Sequence, residues 1–298
     1  MKKTYLIGCS IVAAAITATG CASKLNVAQA TPMQKITGLK TPESAVQAKD
    51  GRIFVSEIGE FGKDGDGQIS VIKDGKTSVF ATGLDDPKGL KIIGNNLYVA
   101  DKTKVTKIGL NDAKASIFAA ASAFPVVPQF LNDLEADPQG NLYVSDSGDI
   151  LGTGKGGAIY KIDAAGKVTL LIDGKQDARM MAPNGLLADD TGKVLMVVDF
   201  TSGVLYSYNQ QTKALSDIAE GFGGGDGIVH QSNGTMFVSD WKSGKVFSLN
   251  RKNAVTLVKD GYKAAADIAI TRDEKYLCAR YESGRTGFYS IKINAIVK

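Results

Sequence analysis

Apolar and polar residues alternate with a period of two in short runs along most of the chain. Turn-forming Gly, Asp and Asn residues separate the runs. One phrase keeps returning: a turn, then apolar residues ending in Val and a Ser or Ala (Val in one copy), then an acid. It reads Arg52-Ile-Phe-Val-Ser-Glu57, Asn96-Leu-Tyr-Val-Ala-Asp101 and Asn141-Leu-Tyr-Val-Ser-Asp146. It returns as Val194-Leu-Met-Val-Val-Asp199, as Thr235-Met-Phe-Val-Ser-Asp240 and, in worn form, as Lys275-Tyr-Leu-Cys-Ala-Arg-Tyr281. A second alternating strand follows each copy, such as Gln68–Ile72 or Ala158–Ile162. A third, such as Ser78–Gly83 or Thr169–Gly174, ends in Gly.

Four short strands per unit at a period of roughly 40–50 residues is the pattern of a β-propeller. Six units fill residues 35–298. The expected fold is all-β, a six-bladed β-propeller with four-stranded blades. No helical pattern of 10–15 residues alternates with the strands, which argues against an α/β barrel. Paired sandwiches would not generate one phrase six times. The last unit is one strand short, while Gln34–Leu39 supplies a spare strand at the front. That N-terminal strand is expected to close the last blade, since an open ring would leave exposed strand edges.

Counting back 14 residues from the last residue of the phrase (15 in the fourth copy) gives Glu43, Pro87, Asn132, Asn184, Asp226 and Asp267. These positions start the first strand of each blade, nearest the axis, and so converge on one mouth of the central channel. Five of them carry oxygen donors. Hard oxygen ligands without His or Cys suit Ca²⁺, Mg²⁺ or Mn²⁺. Asn and Asp also favour turns for local reasons, so capping is the competing expectation.

Composition adds limits. The chain has 298 residues, 44% hydrophobic and 22% charged, with 34 Gly and only 7 Pro, which suits a globular chain of many tight turns. Met1-Lys2-Lys3 followed by an apolar run from Tyr5 to Ala18 reads as a secretory signal. It ends Ala18-Thr19-Gly20-Cys21, a lipobox-like sequence. The expected organisation is a lipoprotein signal peptide at 1–20, a lipidated tether at 21–34 carrying acyl chains on Cys21, and the propeller at 35–298. The anchor implies a cell-envelope location, at the outer membrane facing the periplasm if the host has two membranes. Without Lys2 and Lys3 the chain holds 33 basic and 31 acidic residues. That balance leaves no electrostatic footprint for nucleic acid. Gly152-Thr-Gly-Lys-Gly-Gly157 lacks Ser or Thr after its Lys, so nucleotide binding is not expected either. With Cys9 in the signal and Cys21 lipidated, Cys278 remains alone, a small apolar residue with no disulfide partner.

Three phrases, Leu131-Asn132-Asp133, Ala182-Pro183-Asn184-Gly185-Leu186 and Gly225-Asp226-Gly227-Ile228, resemble those of the regucalcin/gluconolactonase (senescence marker protein) family of six-bladed propellers. The resemblance implies one divalent cation, Ca²⁺ first, with Mg²⁺, Mn²⁺ or Zn²⁺ as alternatives. Its ligands would be Glu43, Asn184 and Asp226, with Asn132 on the metal or the substrate. It also implies hydrolysis of a lactone or related ester, the metal polarising the carbonyl and activating water. Asp226, or the additional Asp267, would be the base.

Two departures stand out. The Arg that the sugar lactonases of that family carry two residues before the Asn-Asp phrase is here Phe130. The first-blade Glu sits in Thr41-Pro42-Glu43-Ser44 rather than before Gly-Pro. An apolar Phe130 at the mouth favours a less polar substrate. Asp133, Met181 and His230 complete the candidate pocket, the single His being read as a core or channel residue rather than a catalytic one. Trp241 is read as packing. The alternative reading is a non-catalytic propeller lipoprotein, a ligand- or protein-binding scaffold with a structural metal.

Overall fold

Strands in a computed structural model fall where the turns of the sequence place them. Residues 36–282 and 286–292 are described. The signal segment, Cys21 and the tether lie outside the described residues. Five sheets each use four consecutive antiparallel strands. The first contains β2 (Pro42–Gln47), β3 (Ile53–Glu57), β4 (Gly67–Lys73) and β5 (Lys76–Leu84). The second contains β6 (Pro87–Ile93), β7 (Asn96–Asp101), β8 (Lys104–Gly109) and β9 (Ala115–Ala119). The third contains β10 (Leu131–Ala136), β11 (Leu142–Asp146), β12 (Ala158–Ile162) and β13 (Val168–Asp173). The fourth contains β14 (Pro183–Ala188), β15 (Val194–Asp199), β16 (Val204–Asn209) and β17 (Leu215–Glu220). The fifth contains β18 (Gly225–His230), β19 (Met236–Asp240), β20 (Lys245–Leu249) and β21 (Val255–Lys259).

The remaining four-stranded sheet is composite. It runs β1 (Ile36–Thr37), β24 (Thr286–Lys292), β23 (Tyr276–Glu282) and β22 (Ile268–Ile270). Ile36 pairs with Phe288 and Thr37 with Gly287, so the front of the described chain closes onto its end. Six equivalent blades, one per repeat, were expected. That form holds for five of the sheets, and the composite sheet is assembled from both ends around a two-residue β1. Of the expected strand Gln34–Leu39, Ile36 and Thr37 take part among the described residues, and Gln34 and Lys35 lie outside them.

The strands β2, β6, β10, β14, β18 and β22 touch in succession and return to β2, forming a ring. They are the innermost strands and are mostly buried, while the outer β5 and β21 are largely exposed. The apolar core lies between adjacent sheets. Phe54, Ile69, Leu90 and Leu97 join the first two blades, and Leu131, Leu134, Leu142 and Tyr160 pack against Ala100 and Val105. Cys278 packs with Ile36, Ala45 and Val55 at the closure, and burial pushes its thiol up to about 12.

The repeated acid has a structural task. Asp199 accepts backbone hydrogen bonds from Met181 (3.0 Å), Ala182 (2.7 Å), Thr201 (3.0 Å) and Ser202 (2.8 Å). Asp146 receives Phe130 N–H at 2.8 Å and Gly148 N–H at 3.0 Å, and Asp101 receives Asp85 N–H at 2.8 Å. Each buried carboxylate ties down the loop that leads into an innermost strand, supplying acceptors to amides that no ladder reaches.

Candidate functional site

Each innermost strand of the first five blades carries a bulge just inside its first residue. The ladder shifts between Pro42 and Ala45, Pro87 and Leu90, Leu131 and Leu134, Pro183 and Leu186, and Gly225 and Ile228. A bulge leaves backbone groups without ladder partners. The Ser of the repeated phrase takes one of them. Ser56, Ser145 and Ser239 Oγ accept the N–H of Ser44 (2.9 Å), Asp133 (2.9 Å) and Gly227 (2.8 Å).

This geometry brings the second residue of each of the first five innermost strands to one cavity of about 440 Å³. Glu43, Lys88, Asn132, Asn184 and Asp226 line it, with Ala266 from the residues before β22. The structure therefore gathers Glu43, Asn132, Asn184 and Asp226 from four blades, as the count-back expected. It corrects the other two positions. Lys88, not Pro87, is the second-blade member, and Ala266, not Asp267, is the last. Hairpin length is the reason. Leu90 pairs with Val99 where Ala45 pairs with Val55, so the second hairpin is one residue shorter. Ile268 pairs with Ala279, so the last is one residue longer.

All five polar members are buried. Asn132 Nδ2 donates to Ser147 Oγ at 3.1 Å, and Ser147 Oγ donates to the Pro183 carbonyl at 2.8 Å. This relay ties the third blade to the fourth and leaves the Asn132 amide oxygen as an acceptor. Lys88 is 2% exposed. Its Nζ donates to the Asp86 carbonyl at 3.1 Å and lies 4.2 Å from the Phe130 ring centroid and 5.7 Å from that of Phe61. Burial pulls the ammonium below the usual lysine range, while Asp86, Glu43 and Asp101 oppose that pull.

The mouth is apolar. Phe61 stacks with Phe130 at 6.2 Å on one side. Phe200 meets Trp241 at 6.1 Å on the other, with Lys242 Nζ 4.4 Å from the Phe200 ring. Leu151 is 80% exposed beside them. Phe61, Lys88, Phe200 and Trp241 were not singled out as site residues. Phe61, Phe200 and Trp241 sit in loops after their strands, where no periodicity marks a direction. A correct hairpin count alone would have found Lys88.

One step further along the axis lie Ser44, Gly89, Asp133, Gly185, Gly227 and Asp267. Asp133 and Asp267 line a separate cavity of about 160 Å³ with Lys91 and Glu135, which form an ion pair. Asp267 is thus below the 440 Å³ cavity and does not line it. Asp133 accepts N–H bonds from Leu134 (2.7 Å) and Leu186 (2.8 Å), and Asp267 accepts from Ile268 N–H (2.7 Å) and Ser44 Oγ. Desolvation pushes Asp133 well above the carboxylate range and Asp267 up to about 6. His230 is exposed at the far end of β18 and lines a cavity of about 600 Å³ with Lys49 and Asp189. Met181 lines a side cavity of about 460 Å³ with Val126, Asp146 and Tyr160. Neither shares the site with Asp226; both sit at other openings.

Two carboxylates and two amides make a hard, oxygen-only donor set that fits an oxygen-seeking divalent cation. Among the described residues, no group of three or more His, Cys, Asp or Glu is placed to hold a metal, so a site here needs its two amides.

The fold and the cavity define a β-propeller with an axial pocket walled by acid and amide and rimmed by aromatics. Comparison agrees. The SMP-30/gluconolactonase/LRE-like region matches residues 89–270, more than half of the chain. The chain belongs to this family. No curated protein matches it. Among solved structures it is similar to a luciferin-regenerating enzyme, with 13% identity, a TM-score of 0.69, and 86% of this chain and 92% of that one covered. It is also similar to regucalcin, a calcium-binding protein of Agrobacterium tumefaciens strain C58, with 18% identity, a TM-score of 0.68, and 88% and 93% covered. At these identities the likeness carries the fold.

Proposed function

We propose that the chain is a divalent-cation-dependent hydrolase of a lactone or related ester. One observation carries the reading: Glu43, Asn132, Asn184 and Asp226, from four separate blades, meet on one buried cavity wall. The composite β1-β24-β23-β22 sheet is taken as the sixth blade, and Ala266, just before its β22, also lines that cavity.

Glu43, Asn132, Asn184 and Asp226 would hold the cation, with Ca²⁺ favoured by the oxygen donors and by the calcium-binding relative. The cation would supply Lewis-acid polarisation of the ester carbonyl. Asp226 takes the proton of the attacking water: it is one of the two carboxylates on the cavity wall, and the family resemblance gives that role to this Asp. The Ser147 relay fixes the Asn132 amide, so that its oxygen does not turn away from the cavity. The apolar rim of Phe61, Phe130, Phe200 and Trp241 excludes water and favours an apolar substrate over a sugar. The lipobox-like sequence at Cys21 supports action at the cell envelope from a lipid anchor.

The test is hydrolysis of aliphatic and sugar lactones by the chain, with EDTA and with Ca²⁺, Mg²⁺, Mn²⁺ or Zn²⁺ restored. Turnover should vanish with EDTA and return with one metal. Asp226→Asn should reduce turnover at least a hundredfold and the cation-induced rise in Tm with it. A cation that raises Tm without any turnover would sink the hydrolase reading and leave a structural metal.

A further inference from the structure

We infer that Lys88 is a specificity-determining residue, and that the cavity takes an amphiphilic anion whose carboxylate meets the Lys88 ammonium and whose apolar chain lies between the aromatic pairs. This rests on the proposed cation site and names the substrate class for it.

Three observations support the assignment. Lys88 lines the same cavity as the four oxygen donors, is 2% exposed, and makes one hydrogen bond among the described residues, to the Asp86 carbonyl at 3.1 Å. An ammonium has three donors, so two stay available. The two rings beside its Nζ, Phe130 and Phe61, also line the cavity, which fixes the ammonium at the cavity wall. The charges then decide the ligand. Among the residues that line the cavity, Glu43 and Asp226 offset a divalent cation and Lys88 adds one positive charge, on which the buried Asp86 carboxylate acts from outside the lining. One ligand carboxylate neutralises that added charge, and a neutral ligand does not. Without Lys88 the loaded cavity would be neutral. The chain of the ligand has its own place, because Phe61–Phe130 and Phe200–Trp241 form apolar walls on two sides.

The test uses the chain loaded with Ca²⁺, titrated with hexanoate and, separately, with 1-hexanol, and read by calorimetry and by Tm. Ca²⁺ binding is measured first, on its own. The expected result is hexanoate bound at least tenfold more tightly than hexanol. Lys88→Met should lose that preference, Lys88→Arg should keep it, and Lys88→Met should bind Ca²⁺ more tightly than the parent because a like charge is gone. Lys88→Gln serves as a second neutral variant should the Met variant fold poorly, and the two-ligand comparison on the parent needs no variant. Failure of any cation to bind overturns the proposed function. Normal cation binding with no hexanoate preference, or a preference that Lys88→Met leaves within twofold, overturns the Lys88 assignment alone.

Discussion

The Lys88 ammonium lies 4.2 Å from the centre of the Phe130 ring, across the gap between two neighbouring innermost strands. At position 130 the family resemblance leads to the expectation of an Arg. In this chain the ring occupies that position and the cation arrives from β6. The pocket thus carries its ammonium on β6, beside an apolar wall. A cation over an aromatic face gains on the order of 1 kcal/mol or more when desolvated.

Phe130→Ala removes one apolar wall and leaves the four oxygen donors in place. The KM for an aliphatic lactone should rise about five- to tenfold, equivalent to roughly 1 kcal/mol of lost contact. kcat should change less than twofold, and the sugar lactones should be unaffected or improved. Steady-state kinetics on both lactone types checks this. An equal loss on both would show that Phe130 supports the fold of the site and does not select its substrate.

Asp199→Ala tests the capping carboxylate. The side chain is fully buried and serves four backbone amides, two just before β14 and two just after β15. Leaving buried donors unsatisfied costs about 1–3 kcal/mol each, part of which water recovers. A loss of at least about 3 kcal/mol in urea-induced unfolding is expected. Stability within about 1 kcal/mol of the parent would show that the repeated acid is not what holds the loops.

Gly227→Ala tests the close approach of two innermost strands. A Cβ at 227 would stand 2.3 Å from Asp267 Oδ1 and 2.5 Å from Ile268 N. The backbone must move, at a cost of about 2–3 kcal/mol. Gly223→Ala is the control, since nothing lies within 4 Å of its Cβ position. The Tm should fall by several degrees for the first variant and hardly at all for the second. Equal effects would mean that the loop tolerates or resists side chains for another reason.

Asp267 gives the fold a pH dependence. Burial raises its folded-state value to about 6, above the unfolded value near 3.9. A carboxyl that holds its proton more tightly when folded stabilises the fold fully below its unfolded value, and that contribution is lost as pH rises through about 6. Asp267→Asn cannot lose it. The Tm of the parent should therefore drop relative to that of Asp267→Asn between pH 4 and pH 7, then run parallel above. Melting curves across this range check the sign. A gap between the two proteins that does not change with pH would remove Asp267 as the source.

The sequence by itself determined the repeat. Alternation and turns located the strands, whereas the task of the returning acid and Ser, as acceptors for loop and bulge amides, came from the structure. The offset from phrase to strand start found Glu43, Asn132, Asn184 and Asp226 because these four blades keep the hairpin lengths that the count assumed. Tertiary structure decided the rest. A hairpin one residue shorter turns Lys88, not Pro87, to the cavity, and one residue longer turns Asp267 away from it, since a one-residue slip reverses the face of every side chain in a strand. The aromatic rim was out of reach for a different reason. Phe61, Phe200 and Trp241 come from loops of different blades, and only closure of the ring sets them around one mouth. Position along a strand is a local property that alternation reports, whereas which loops meet over a channel depends on contacts far apart in the chain.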